Sequence, residues 1–289
     1  MEFWVMQTFY GLSYGSLLFM LACGLTLVFG VMKFCNVAHG SFYLLGGYMG
    51  VTALRVTGYS TLSFFLAIFV GGLTIAILGA AIQRVFFRKL YGQDLPQVLI
   101  TLGFALIFQD LVLVIWGGDP YRVTIPAPFK GAFHLGDLYF PKYRIFMILA
   151  AAVVAVAIYL LFEKTNTGAR IRAAADDEEM AGGIGIKIPL ISAGVFALTA
   201  GLAGMAGVIG GGFLSLYPGA GLIMIPLAFA VVIVGGLGSI KGAAIASILL
   251  GLIDSFGKTL IPDLAYFTMY APMLIILAVR PTGLFGKPQ

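Results

Sequence analysis

The chain has 289 residues, of which 61% are hydrophobic and only 10% charged, with a formal net charge of +5. A soluble domain carries about 25% charged residues, so a mean hydropathy of +1.04 excludes a water-soluble globule and makes lipid the solvent. The basic balance comes without a polar domain of clustered cations and interleaved aromatics, which excludes a nucleic-acid binder and turns the excess Lys and Arg into a signal of membrane topology.

A spanning helix needs about 20 apolar residues, because the hydrocarbon core is about 30 Å thick and each residue rises 1.5 Å. Eight or nine stretches meet this need, at 8–32, 34–54, 61–83, 98–118, 145–162, 189–212, 222–239, 242–257 and 265–279. The predicted fold is therefore all-α, a polytopic transmembrane helical bundle occupying residues 1–289 as a single domain. The last two stretches are short enough for tilted, re-entrant or partly buried helices.

The first stretch has no basic leader and no cleavage pattern, so it counts as mature structure. It contains Gly11-Leu12-Ser13-Tyr14-Gly15, a match to the G-x-S-x-G nucleophile elbow. That elbow needs a strand-to-helix turn and a triad, whereas this match sits in an apolar helix and the chain has only His39 and His134 as histidines. Cys23 and Cys35 give neither a metal-ligand spacing nor a disulfide framework. No metal site and no cofactor site is expected.

The segment Asn36 to Ser41 is polar between two apolar stretches. Unpaired polar groups in hydrocarbon cost several kcal/mol, so Asn36, His39 and Ser41 must meet protein or water. Two readings follow: these side chains satisfy backbone carbonyls at a helix interruption, or they line or gate a polar pathway. Gly46 and Gly50 then form a GxxxG pair suited to close helix packing.

The connection 84–97 carries Arg84, Arg88 and Lys89, and the fourth stretch holds Gln109 and Asp110. An ionisable group there faces a bundle interior or a water-filled cavity, or makes an interhelical hydrogen bond. The connection 119–144 is rich in Pro, Gly and aromatics. The connection 163–187 is the most charged part of the chain, with an Ala-rich centre that favours a short helix followed by a glycine turn. From composition alone it is a solvated loop.

From Ile188 to Ile240 there is no Asp, Glu, Lys or Arg. Gly201, Gly204, Gly207 and Gly210 repeat every third residue there and suit close helix contact. Gly235-Gly236-Leu237-Gly238-Ser239 falls in this run, and the family resemblance given below implies a structural turn there. Gly257-Lys258-Thr259 ends like a phosphate loop, but five residues rather than four separate Gly251 from Gly257, so no Walker site is expected.

With nine spans and the amino terminus outside, eleven of the 17 cations fall on the cytoplasmic side: Lys33, Arg84, Arg88, Lys89, Lys164, Arg170, Arg172, Lys187, Lys241, Arg280 and Lys287. The positive-inside rule selects this orientation over its inverse. Residues 163–187 are then cytoplasmic and 119–144 extracytoplasmic.

Four groups of residues together resemble one family. Thr167 to Lys187 resembles the cytoplasmic coupling loop of ABC importer permeases, in which Gly168, Arg170 or Arg172, Ala173, Asp177, Glu179, Ala181 and Gly185 hold the motif places. Gly24 to Val31 followed by Asn36-Val37-Ala38-His39-Gly40, Gly235 to Ala243, and Arg280-Pro281-Thr282-Gly283-Leu284-Phe285-Gly286 resemble further signatures of the branched-chain amino acid (Liv-type) permeases. Lys241 stands where that family often has proline. The resemblance runs from near residue 11 to the end.

It implies a transport subunit of a bacterial inner membrane, not itself an enzyme, that carries branched-chain amino acids or a related small solute. The implied partners are a second homologous permease subunit, two cytoplasmic ATP-binding subunits and an extracytoplasmic solute-binding protein, within the lipid bilayer and without nucleic acid. Gly168, Arg170, Arg172, Asp177, Glu179 and Gly185 would couple to the ATPases. The competing class is an autonomous secondary transporter or channel, which would show paired inverted helix breaks and a midplane ion site.

Overall fold

The computed structural model describes residues 1–87, 90, 93–265 and 267–286. Arg88, Lys89 and Lys287, three of the expected cytoplasmic cations, lie outside the described residues. The helices are α1 (Glu2–Met32), α2 (His39–Thr57), α3 (Thr61–Val85), α4 (Asp94–Trp116), α5 (Lys142–Lys164), α6 (Asn166–Asp176), α7 (Glu178–Gly183), α8 (Ile188–Gly211), α9 (Ala220–Gly235), α10 (Ile240–Leu260) and α11 (Tyr270–Val279). The chain forms a polytopic helical bundle.

Six of these helices, α1, α3, α4, α5, α8 and α10, are long and apolar enough to cross a membrane by length and composition. The 242–257 stretch, expected to be short, extends to a 21-residue helix because the Ser239 hydroxyl accepts the Gly242 N–H at 3.0 Å and caps its start. The shorter helices are α9 with 16 residues and α11 with 10. Helix α9 ends at Gly235 instead of 239 because Gly236 and Gly238 adopt φ of 98° and 78°, a region open to glycine and closed to a continuing helix.

The connection 119–144 departs from the all-α expectation. It folds into an antiparallel hairpin of β1 (Ala132–Leu135) and β2 (Leu138–Pro141), with Leu135 opposite Leu138 and Gly136-Asp137 as the two-residue turn. Gly136 takes φ of 64° there, as such turns require.

The core is built on α1 and α8. Of the apolar 18-residue stretch of α1, 78% is buried in the bundle, whereas those of α4 and α5 are 22% buried and form the outer wall. Glycine makes the close contacts possible: a Cβ on Gly204 would lie 2.6 Å from the Gly71 carbonyl oxygen, and one on Gly24 2.9 Å from that of Thr199. Lipid supplies no hydrophobic drive between helices, so backbone approach through small residues is what holds α2, α3 and α8 together.

Candidate functional site

The polar break between α1 and α2 is the first candidate. Lys33 closes α1 in the left-handed conformation (φ 55°), its N–H donating to Phe29 O at 3.2 Å. The chain then turns back into the bundle. His39, in the first turn of α2, reaches Leu21 of α1, and its Cε1 would lie 2.8 Å from a Cβ on Gly24. Those positions are eight to eleven residues, or about 12–16 Å at 1.5 Å per residue, back from Met32. Helix α2 therefore starts at depth, and Phe34 to Ala38 form a re-entrant segment.

The groups within this segment are buried and only partly satisfied. Asn36, His39 and Ser41 are 1%, 0% and 2% exposed. The Asn36 side-chain oxygen accepts the Ala38 N–H at 3.1 Å, leaving its Nδ2 donor without a partner. His39 Nε2 lies 2.8 Å from Leu21 O. A carbonyl only accepts, so the ring donates from Nε2, and its Nδ1 has no partner. Ser41 Oγ donates to Ala105 O at 3.3 Å, and the Val37 N–H donates to Thr101 Oγ1 at 3.1 Å, tying the break to α4.

Gln109 lies one turn beyond Ala105 on α4, with a buried and unpartnered Oε1. Asp110 points the other way: it is exposed on the outer face of α4, among Leu106, Ile107, Leu113 and Val114. The structure thus gathers Asn36, His39 and Ser41 at one break, leaves Gln109 beside it, and places Asp110 on a separate face.

The second candidate is the charged segment at the end of α5. Thr165 Oγ1 accepts the Gly168 N–H at 3.0 Å and starts α6; Asp177 Oδ1 accepts the Met180 N–H at 2.9 Å and starts α7. Gly168 packs against the Phe162 backbone, where no side chain fits. Gly185 has φ of 90° in the turn leading to α8. Arg170, Arg172, Asp177 and Glu179 are exposed, and Arg172 approaches Glu163 only at 3.9 Å with both side chains nearly half exposed, a pair worth at most about 1 kcal/mol. Among these charges Met180 and Ile184 are 67% and 75% exposed.

The glycine turn and the carboxyl-terminal motif meet in space. Leu284 and Phe285 donate their N–H groups to Val234 O at 2.9 Å and Gly235 O at 3.1 Å, the last carbonyls of α9. A Cβ on Gly30 would lie 3.1 Å from Gly238 Cα, so the end of α1 closes on the same turn. Gly235, Gly236, Gly238 and Ser239 are thereby locked between α1 and the tail.

Other motifs resolve differently. Ser13 is helical, donates to Tyr10 O at 2.9 Å and accepts from Arg144 Nη1 at 3.0 Å, with no elbow geometry. Lys258 is helical and pairs with Asp254 at 2.7 Å. Asp254, 3% exposed, also accepts from Thr268 Oγ1 at 2.7 Å. Sequence reasoning missed this buried carboxylate, although the i,i+4 spacing of Asp254 and Lys258 was its signal.

A helical bundle of this hydropathy, with a polar re-entrant break inside and a charged helical pair outside, is a multi-pass membrane protein. The family model described as "Branched-chain amino acid transport system / permease component" matches residues 7–277, and the chain belongs to that family. It is 28% identical to the high-affinity branched-chain amino acid transport system permease protein BraD of Pseudomonas aeruginosa and 29% identical to LivH of Escherichia coli K12, with 99% of this chain and 97% of each relative covered. A probable LivH of Methanocaldococcus jannaschii is 26% identical, over 84% of this chain and 77% of that one. Among solved structures, PsaBC from Streptococcus pneumoniae in complex with Fab shares the fold with a TM-score of 0.51 at 13% identity, covering 94% of this chain and 91% of that one.

Proposed function

We propose that this chain is the permease subunit of an ABC importer of the inner membrane, forming with a second, similar subunit the pathway for branched-chain amino acids or a related small solute. The family match over residues 7–277 carries this reading. The long apolar helices α1, α3, α4, α5, α8 and α10 cross the membrane, and α2, α9 and α11, of 19, 16 and 10 residues, complete eight or nine passes as tilted or partly buried helices, with α6 and α7 in the cytoplasm.

Two cytoplasmic ATP-binding subunits supply the energy, and a solute-binding protein delivers the solute from the other side. The α6–α7 segment suits the docking of an ATP-binding subunit, because Arg170, Glu179 and the apolar Met180 and Ile184 are exposed where a partner can cover them. Nucleotide-dependent binding there must differ between inward- and outward-facing states, since only differential affinity shifts a conformational equilibrium. Asn36, His39 and Ser41 border the pathway or its gate with Gln109 of α4; Asp110, on the outer face of α4, joins it only where the second permease subunit covers that face.

The test is reconstitution of the complex in liposomes with the solute-loaded binding protein. ATP hydrolysis should rise with loaded binding protein and be matched by solute uptake. Uptake by this chain alone, without ATP-binding subunits, would identify an autonomous transporter instead.

A further inference from the structure

The β hairpin lies along the flank of the bundle, below the end of α1. Phe140 of β2 packs edge-to-face on Phe9 of α1, with ring centroids 5.1 Å apart. Helix α1 starts at Glu2 and has 31 residues, about 46 Å, against a hydrocarbon core of about 30 Å. Equal overhang at both ends puts the near boundary of the hydrocarbon about 8 Å, or about five residues, into α1. Overhang entirely at the near end puts it about 16 Å, or about eleven residues, in. Phe9 falls inside that window, so the hairpin sits where acyl chains meet headgroups.

The hairpin has two unlike faces. Residues directly opposed in an antiparallel pair share a face, and side chains alternate along each strand. The register therefore puts Phe133, Leu135, Leu138 and Phe140 on one face, all apolar, and His134 and Tyr139 on the other. Phe140 covers part of the apolar face against α1, but Phe133 and Leu135 remain 56% and 71% exposed. His134 and Tyr139 meet edge-to-face, with centroids 4.6 Å apart. A two-stranded hairpin is marginally stable in water and needs apolar support on one face. Beyond the contact with Phe9, Phe133 and Leu135 obtain little of it from the chain.

The surroundings match a bilayer boundary. Lys142 Nζ lies 5.0 Å from the Phe133 ring centroid, and the exposed Lys130 precedes β1, so two cations flank the apolar face at headgroup level. Trp4 and Phe3, in the first turn of α1, are 57% and 40% exposed. Aromatic residues and lysines concentrate at such boundaries. Asp137, exposed in the turn, holds the tip at the headgroups and out of the hydrocarbon.

We infer that the hairpin is an interfacial membrane anchor, whose Phe133 and Leu135 face rests on the acyl chains of the adjacent leaflet while His134 and Tyr139 face water. The anchor requires only that α1 spans the bilayer, in either orientation, and so stands apart from the importer reading. A water-soluble partner is the poorer occupant, because the apolar face lies beside α1 and not on top of the bundle.

The experiment uses the full chain in phosphatidylcholine vesicles, with Cys35→Ser removing the partly exposed native thiol. An environment-sensitive fluorophore is attached through Leu135→Cys or through His134→Cys. Phospholipid brominated on its acyl chains should quench the label at position 135 several-fold more than the label at 134. Aqueous iodide should show the reverse order. Phe133→Cys and Tyr139→Cys repeat the comparison on the same two faces, so that one poorly folded variant does not decide the outcome.

Equal responses from the two faces would overturn the anchor. A label at 135 that neither quencher reaches would overturn it as well and assign the face to a neighbouring protein chain. So would a label at 135 that iodide reaches freely until solute-binding protein is added. Each of these outcomes leaves the family assignment and the importer reading as they are.

Discussion

His39 shows how one side chain can be both satisfied and available. Its Nε2 is committed to Leu21 O, while Nδ1 is buried with no partner. His39→Leu keeps much of the volume and removes both nitrogens, so uptake should fall while the complex still assembles and co-purifies. Unchanged uptake would mean that the ring serves only the helix interruption. Asp254 invites a stability test instead. It is buried with Lys258 and Thr268 as donors, and Asp254→Asn leaves Lys258 unpaired. The Lys258 side chain is 51% exposed, so water recovers part of the loss and the expected cost is about 1–2 kcal/mol, below that of a fully buried pair. Thermal unfolding of the purified variant should show a lower midpoint. The double variant with Lys258→Met should recover part of it.

At the level of elements, α8 and the α6–α7 pair respond to substitution in opposite ways. Gly204 packs backbone to backbone against α3, so Gly204→Leu inserts a side chain where a Cβ already meets Gly71 O at 2.6 Å. Overpacking typically costs about 1–3 kcal/mol and more when backbone must move; loss of the folded, monodisperse fraction in detergent is the expected outcome. A Cβ on Gly194, in the same helix, meets nothing within 4 Å, so Gly194→Ala should be neutral or stabilising by up to about 1 kcal/mol.

In the α6–α7 segment Glu179→Lys reverses an exposed charge and Gly185→Val forces a β-branched residue to φ of 90°. Both should leave the membrane bundle folded while weakening ATPase association or uncoupling hydrolysis from uptake. Wild-type stimulation and uptake in both variants would make the segment a solvated surface.

The whole molecule adds sidedness. Helix α5 separates the β hairpin from α6, so any orientation that puts residues 163–187 in the cytoplasm puts 132–141 outside. Gly168 packs too closely for a tolerated side chain, so Ala169→Cys is the probe of that end. Cysteine placed by Ala169→Cys and by His134→Cys should label from opposite sides of oriented vesicles. Labelling of both ends from one side would discard the nine-span arrangement.

The sequence by itself determined the solvent, the helical class, the family and most helix positions, because hydropathy is a local signal that needs no partner. It also marked Asn36 to Ser41 as a break and Thr167 to Lys187 as a charged outer segment. Depth and juxtaposition came only with the tertiary structure. The descent of α2 into the bundle depends on Gly24 leaving room for the His39 ring; Asp110 faces outward because α4 packs through its other side; and the β hairpin lies along the flank of α1 because Phe140 packs on Phe9, near the start of the chain. Such contacts join residues far apart along the chain, and pairing at that range is set by packing of whole helices rather than by any local pattern.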